Sequence, residues 1–193
     1  MPTLAELSEV AICSLALQDI GRGLIITALD ENSQAACACR LRYPFARDAC
    51  LRAYDWNFAA ARASLLALAT PPAFGYANAY QLPADCLFVR EVGEDDDCCP
   101  WEVESGTLIT DRAAPLNIKY TRAVTSPAAF DPLFAETLAA RVAAEVAVSL
   151  SESLGKAQAL WQVYQSKLAE ARRRDAQESS GQSANDGYWL ADR

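Results

Sequence analysis

The feature that most constrains the fold is a hydrophobic period that changes twice along the chain. In the first and last thirds, apolar side chains recur every three to four residues, as they do on one face of a helix. In the middle third, apolar and polar residues alternate between prolines and glycines, which is typical of short strands. The sequence therefore predicts an α+β fold, mainly a helical bundle with a small antiparallel β-meander inserted and an extended C-terminal arm.

Capping residues predict where the helices begin. Thr3 and Glu6 have the spacing of a capping box, Asp30 can cap a second helix that Pro44 should kink or divide, and Asp131-Pro132 should start a third. Gly155 indicates a break before the last helix. The predicted buried faces are Leu4, Leu7, Ala11 and Leu15; Cys39, Tyr43, Ala46, Cys50 and Tyr54; Phe134, Leu138, Val142 and Val146; and Leu160, Tyr164, Leu168 and Ala171.

The middle of the chain predicts strands at 79–82, 87–92, 101–104, 107–110 and 116–120. Ser105-Gly106 is a favourable two-residue hairpin turn, and Pro83-Ala84-Asp85 is a turn-like break. Residues 56–69 fit either a strand or a helix, because Trp56-Asn57-Phe58 reads as extended while the alanines that follow favour helix. The predicted organisation is 1–70 helical, 71–125 meander, 126–177 helices of the same bundle, and 178–193 a flexible arm.

The arm has the composition of a disordered segment but ends in Tyr188, Trp189 and Leu190, which favour burial. We interpret these residues as an anchor that becomes ordered on a partner, since Tyr and Trp supply large contact area with few rotatable bonds. The alternative is that the arm folds back onto its own domain.

Composition excludes several kinds of chemistry. The chain has no histidine, so histidine acid–base catalysis and the usual nucleophilic triads are absent, and no phosphate-binding glycine motif occurs. Its seven cysteines include no CxxC pair, and Cys37 and Cys39 would diverge on a helix, so we expect reduced structural thiols and neither a metal nor a cofactor. No signal peptide or membrane span is predicted, which favours a soluble protein made in the cytosol.

Two charge clusters are candidates for contacts. Glu94, Asp95, Asp96 and Asp97 form the densest one, which lacks the spacing of a calcium loop; we expect a solvated connection that repels DNA if it faces a channel. Arg172, Arg173 and Arg174 should close the last helix, where cations suit the negative end, or pair with acidic groups of a neighbouring subunit. The net charge of −8 opposes attraction to nucleic acid.

Six stretches together carry a family resemblance. They are AICSLALQDIG at 11–21, ITALDE at 26–31, YPFARD at 43–48, YDWNFA at 54–59, YQLPADCL at 80–87 and GYWL at 187–190. In combination they resemble the head-to-tail adaptors of short-tailed bacteriophages, a family also called tail tubular protein A or head-completion adaptors. The similarity covers most of residues 10–92 and, more loosely, the helical C-terminal third.

The resemblance implies a structural virion protein of the phage neck, assembled in the host cytoplasm and not an enzyme. It implies a ring of twelve copies between the portal protein and the tail nozzle protein, lining a conduit through which genomic DNA passes without sequence-specific binding and without a membrane. The portal or a neighbouring subunit would be contacted by the arm ending at Tyr188, Trp189 and Leu190.

Two other classes remain as alternatives. A tail-associated peptidoglycan hydrolase would need two carboxylates held by the fold, with Glu136, Glu145 and Glu152 as candidates. A ring-forming DNA-packaging subunit would need a basic surface, against which the acidic composition argues.

Overall fold

The computed structural model describes residues 7–21, 25–93, 99–151 and 153–178. The helices are α1 (Glu9–Ile20), α2 (Gln34–Arg52), α3 (Pro132–Ser151) and α4 (Leu154–Glu178). The strands are β1 (Ala60–Leu65), β2 (Asn78–Gln81), β3 (Cys86–Val92), β4 (Trp101–Glu104), β5 (Thr107–Thr110) and β6 (Leu116–Arg122). The fold is α+β, with helices near both chain ends and all strands between them, as predicted.

The chain divides into two compact units. The helical unit comprises Met1–Tyr43 with Asp131–Arg193, and the strand unit comprises Pro44–Phe130. These bounds differ from the boundaries at 70/71 and 125/126 that the sequence suggested. The helix α2 runs through the first bound with Pro44 inside it, so the proline does not divide the helix even though it removes one backbone donor.

The helical unit is built around α3. The predicted stripe of Phe134, Leu138, Val142 and Val146 is confirmed, since none of these side chains is more than 1% exposed. Burying each of them is worth about 1.5–3 kcal/mol by transferred area. The helix packs against α1 and α4, and the alanines at most of its other buried positions allow these helices to approach closely.

The predicted caps are confirmed for α3 and corrected for α1 and α2. Asp131 Oδ1 accepts the backbone N–H groups of Leu133 and Phe134 at 2.8 and 3.1 Å. The first helix begins at Glu9 with Ser8 as its cap, and Thr3, Leu4 and Glu6 lie outside the described residues. At α2 the capping hydroxyl is that of Ser33, which accepts from Ala36 N at 3.1 Å, so the prediction of Asp30 was wrong.

Three of the predicted helical faces need adjustment. The buried face of α1 is Ile12, Cys13, Ala16, Leu17 and Ile20, whereas Leu15 is 44% exposed. Cys39, Tyr43, Ala46 and Cys50 are buried as predicted, but Tyr54 follows α2 and is only partly buried, as is Leu168 on α4. The predicted break occurs between α3 and α4, where Gly155 lies in the first turn of α4.

The strand unit contains two three-stranded antiparallel sheets in place of one meander. Their strand orders are β1-β6-β3 and β2-β5-β4, so only β4 and β5 are neighbours in both sequence and space. The Ser105-Gly106 turn between them has positive φ at both residues, as the predicted hairpin requires. Residues 60–65, which the sequence left open, form β1 along its whole length against β6.

The two sheets share a core. Its buried members are Leu65, Tyr80, Val89, Leu108, Leu116, Ile118 and Tyr120. Arg90 of β3 ties this region to the segment that precedes β1, because its guanidinium donates to Thr121 Oγ1 and to the carbonyl oxygen of Trp56, both at 2.8 Å.

The described cysteines behave mainly as small packing residues. Cys13, Cys39 and Cys50 are buried while Cys37 is exposed, which confirms that Cys37 and Cys39 diverge on α2. A hydrogen bond with Cys39, together with burial, raises the pKa of the Cys13 thiol. Within the described ranges no group of three or more possible ligands is arranged to hold a metal ion, and no helix is long and apolar enough to cross a bilayer.

Candidate partner-binding surface

Of the predicted contact residues, the structure describes only the three arginines of α4. Tyr188, Trp189 and Leu190 lie outside the described residues, as do Glu94, Asp95, Asp96 and Asp97. The helix continues through the arginines to Glu178, so the prediction that they close it was wrong, and the part of the arm outside the description begins at residue 179.

Arg173 and Arg174 are exposed, whereas Arg172 is partly buried. Arg173 Nε donates to the carbonyl oxygen of Ala169 at 3.2 Å, and Arg174 donates to Gln177 Oε1 at 3.3 Å. Among the residues that the structure describes, no carboxylate forms an ion pair with either one. Two positive charges therefore face solvent near the end of α4 and can bind a carboxylate from elsewhere.

A second cluster, which we did not predict from the sequence, joins α3 and α4 around Arg141. The guanidinium carbon of Arg141 lies 4.8 Å from the ring centroid of Trp161 and 5.1 Å from that of Tyr164. Its Nε donates to Glu145 Oε1 at 2.6 Å, and a terminal nitrogen donates to the Tyr164 hydroxyl at 3.2 Å. Although burial opposes the effect, these two hydrogen bonds raise the pKa of Arg141. The same hydrogen bonds hold the guanidinium beside the indole of Trp161.

Apolar surface adjoins this cluster. Trp161 is 38% exposed and Leu154 is 72% exposed, and both line a depression of about 510 Å³ together with Ala144 and Ala157. We call the surface formed by Arg141, Ala144, Leu154, Ala157 and Trp161 the α3–α4 face. Exposed apolar groups collected around a fixed aromatic ring are typical of a protein–protein contact.

A signal for the α3–α4 face was present in the sequence. Trp161 stands beside the buried stripe that begins at Leu160, and its neighbours on the outer side of the helix are Gln158, Gln162 and Gln165. A tryptophan among glutamines on the polar side of an amphipathic helix indicates an exposed aromatic residue. The contact with Arg141 could not be read in this way, because it depends on how α3 and α4 pack.

Glu136 and Glu145, the two candidate hydrolase carboxylates that the structure describes, do not form a facing pair. Glu136 and Glu145 are separated by about half a turn around α3 at roughly 100° per residue, so they point to opposite sides. Each has its own cation, with Lys167 at 3.4 Å from Glu136 and Arg141 at 2.6 Å from Glu145. The side chain of Glu152 lies outside the description.

None of the protein-family models matches the chain. No curated protein matches it at a significant level.

Proposed function

We propose that the chain is a structural head-to-tail adaptor of a short-tailed phage, a ring subunit between the portal protein and the tail nozzle. In this role it lines the conduit for genomic DNA in the virion neck, after assembly in the host cytoplasm, and it is not an enzyme. The proposal is supported by the family resemblance over most of residues 10–92 and by the partner-binding surface of the helical unit.

The observation that carries the proposal is the fixed, exposed indole of Trp161. A cation–π contact with Arg141, itself held by Glu145 and Tyr164, limits the movement of the ring. An anchor that is already ordered loses little conformational entropy on binding, which is why Trp, Tyr and Arg dominate the energetics of many interfaces. The free chain therefore exposes a surface suited to burial by another protein.

The α3–α4 face and the arm can act together on the portal. Arg173 and Arg174 lie on α4 between Trp161 and residue 179, so one helix connects the aromatic anchor, the two free cations and the arm. The arm would then pay its ordering entropy only on assembly, which keeps it from binding before the portal is present. Tyr188, Trp189 and Leu190 would provide the final apolar lock.

The acidic composition suits a DNA conduit. A wall with net negative charge repels phosphates, so DNA passes without being held. We propose that Glu94, Asp95, Asp96 and Asp97 face the lumen. Replacing all four with their amides should slow genome ejection at unchanged particle yield, and unchanged ejection would contradict the lumen assignment.

Portal binding tests the main proposal. Deleting residues 179–193, or replacing Trp161 with Ala, should leave the helical content unchanged by circular dichroism but reduce co-sedimentation with portal rings. A hot-spot anchor is worth about 2 kcal/mol or more, so we expect roughly 30-fold weaker binding for Trp161→Ala. Val163→Ala is the matched control, because Val163 is 42% exposed on the same helix but does not line the depression. Full co-sedimentation by both defective variants would contradict the proposal.

A further inference from the structure

The strand unit carries an exposed apolar segment. Residues 66–76, here called the apolar loop, contain no charged side chain, and Leu66 and Phe74 are 77% and 89% exposed. The loop is anchored near both ends, since Leu68 N donates to the carbonyl oxygen of Ala79 at 2.8 Å and the Tyr76 hydroxyl donates to Glu102 at 3.1 Å. Pro71 and Pro72 restrict its backbone further. Such a segment is preorganised to enter a cavity.

The same unit has an apolar groove that could receive it. The groove has a volume of about 370 Å³ and lies between β3 and β4, each an outer strand of its sheet. Its apolar lining consists of Leu82, Cys86, Leu87, Phe88, Val89, Trp101 and Val103. Phe88 and Val103 are 46% and 45% exposed, so the groove presents apolar surface to solvent.

The apolar loop and the groove lie on opposite faces of one sheet. Alternate residues of a strand point to opposite faces, and β4 contributes to both sites in this way. Glu102 and Glu104 line a second depression, which lies beside the apolar loop. Trp101 and Val103 line the groove. Each copy can therefore insert its apolar loop into the groove of a second copy. Its own groove stays open and can receive the loop of a third copy.

The charges beside the two surfaces are complementary. The charged side chains that line the depression at the apolar loop are Glu102 and Glu104. Among the residues that the structure describes, the charged side chain that lines the groove is Arg52. Two copies in loop-to-groove contact therefore bring carboxylates toward a guanidinium, whereas two loops or two grooves would bring like charges together.

We propose that the apolar loop of one copy occupies the groove of the next copy, with Phe74 as the inserted side chain. The contact is heterologous, because each copy inserts its apolar loop into one neighbour and receives the apolar loop of another neighbour in its groove. Repetition of such a contact can close a ring. The inference rests on the proposed ring-forming function and assigns the surfaces that join its subunits.

Photocrosslinking maps the contact directly. The full chain carrying p-benzoylphenylalanine in place of Phe74 keeps an apolar aromatic group at the loop tip. On irradiation it should form a dimer whose crosslink lies within residues 82–89 or 101–103. The absence of a dimer, or a crosslink to another region, would overturn the inference, as would a crosslink formed only with nozzle protein.

Mixing of variants tests the direction of the contact. Phe74→Asp removes the inserting surface and Val103→Asp removes the receiving one, so each variant alone should be monomeric in sedimentation velocity. An equimolar mixture still contains one intact loop and one intact groove and should form a heterodimer that grows no further. Phe45→Asp is the control, because Phe45 is 74% exposed and lines neither surface. Assembly by either variant alone would contradict the contact.

Charge reversal gives an independent readout. Arg52→Glu should weaken self-association, and so should Glu104→Arg, which leaves the Tyr76–Glu102 anchor of the apolar loop in place. Combining both changes in one chain should restore it, because attraction returns with opposite signs. Failure of this restoration would count against the charge pairing.

The two proposals fail separately. Portal rings that bind the wild-type chain without any crosslink from position 74 to the groove would overturn the loop-to-groove contact alone. A crosslinked dimer that never binds portal would overturn the adaptor function alone.

Discussion

The arginines of the helical unit differ in role because the residues around them differ. Arg141 is enclosed by two aromatic rings and a carboxylate, so its charge is used within the fold. Within the part of the chain that the structure describes, Arg173 and Arg174 reach only a carbonyl oxygen and an amide oxygen of their own helix. Their charge remains available to a partner, and replacing either residue should affect assembly more than folding.

Glu31 is the residue with the clearest acid dependence. The backbone N–H of Thr27 and the hydroxyl groups of Ser33 and Thr27 donate to its carboxylate at 2.8–2.9 Å, which lowers its pKa from 4.5 to about 2. Because the folded pKa lies below the unfolded value, the stabilisation is complete above about pH 4.5 and is lost as the pH falls toward 2.

Glu31→Gln should therefore lower the free energy of unfolding at pH 7, and the difference from wild type should shrink between pH 4.5 and 2. Urea titrations at several pH values measure this. Asp30→Asn is the control, because the Asp30 side chain makes no hydrogen bond to any residue that the structure describes. Equal losses for both variants at every pH would contradict the assignment.

At the scale of elements, features that depend on neighbouring residues were predictable from the sequence, whereas features that depend on long-range contacts were not. The start of α3 and the β4–β5 turn were predictable, since Asp131-Pro132 and Ser105-Gly106 act through bonds within a few residues. The strand β1 was not, because Ala60–Leu65 contains no β-branched residue and alanine favours helix. Its pairing with β6, more than fifty residues away, overrides that preference.

The division into two sheets could not be predicted from the sequence for the same reason. A meander would pair consecutive strands, but β6 pairs with β1 and β3, and β2 pairs with β5. The apolar loop and the groove depend on this arrangement, so neither could be predicted from the sequence. We predicted a contact role for the arginines of α4 from the sequence but none for Trp161, whose proposed role depends on contact with the neighbouring helix.

The cap of α3 gives a prediction at this scale. Asp131→Ala leaves the N–H groups of Leu133 and Phe134 without their acceptor and should cost about 0.5–2 kcal/mol of stability. Asp131→Ser supplies another capping oxygen and should recover most of the loss. Chemical denaturation measures both variants, and an Ala variant as stable as the Ser variant would show that the cap contributes little.

At the scale of the whole molecule, the charge balance decides how the chain meets DNA. With 25 acidic and 17 basic residues, the chain can displace few phosphate counterions. We predict that it produces no shift of double-stranded DNA in a gel at low ionic strength. A shift that weakens as salt is added would instead favour the packaging-subunit alternative.

Strand β4 has only four residues, and its side chains alternate between the two faces of the sheet. This alternation constrains the number of residues in the strand more tightly than it constrains their identity. Conservative exchanges at any of the four sites would keep each side chain on its own face. One inserted residue would move every later side chain of the strand to the opposite face of the sheet, while β4 and β5 could still pair. Related chains should therefore vary in the identity of these residues long before they gain or lose one.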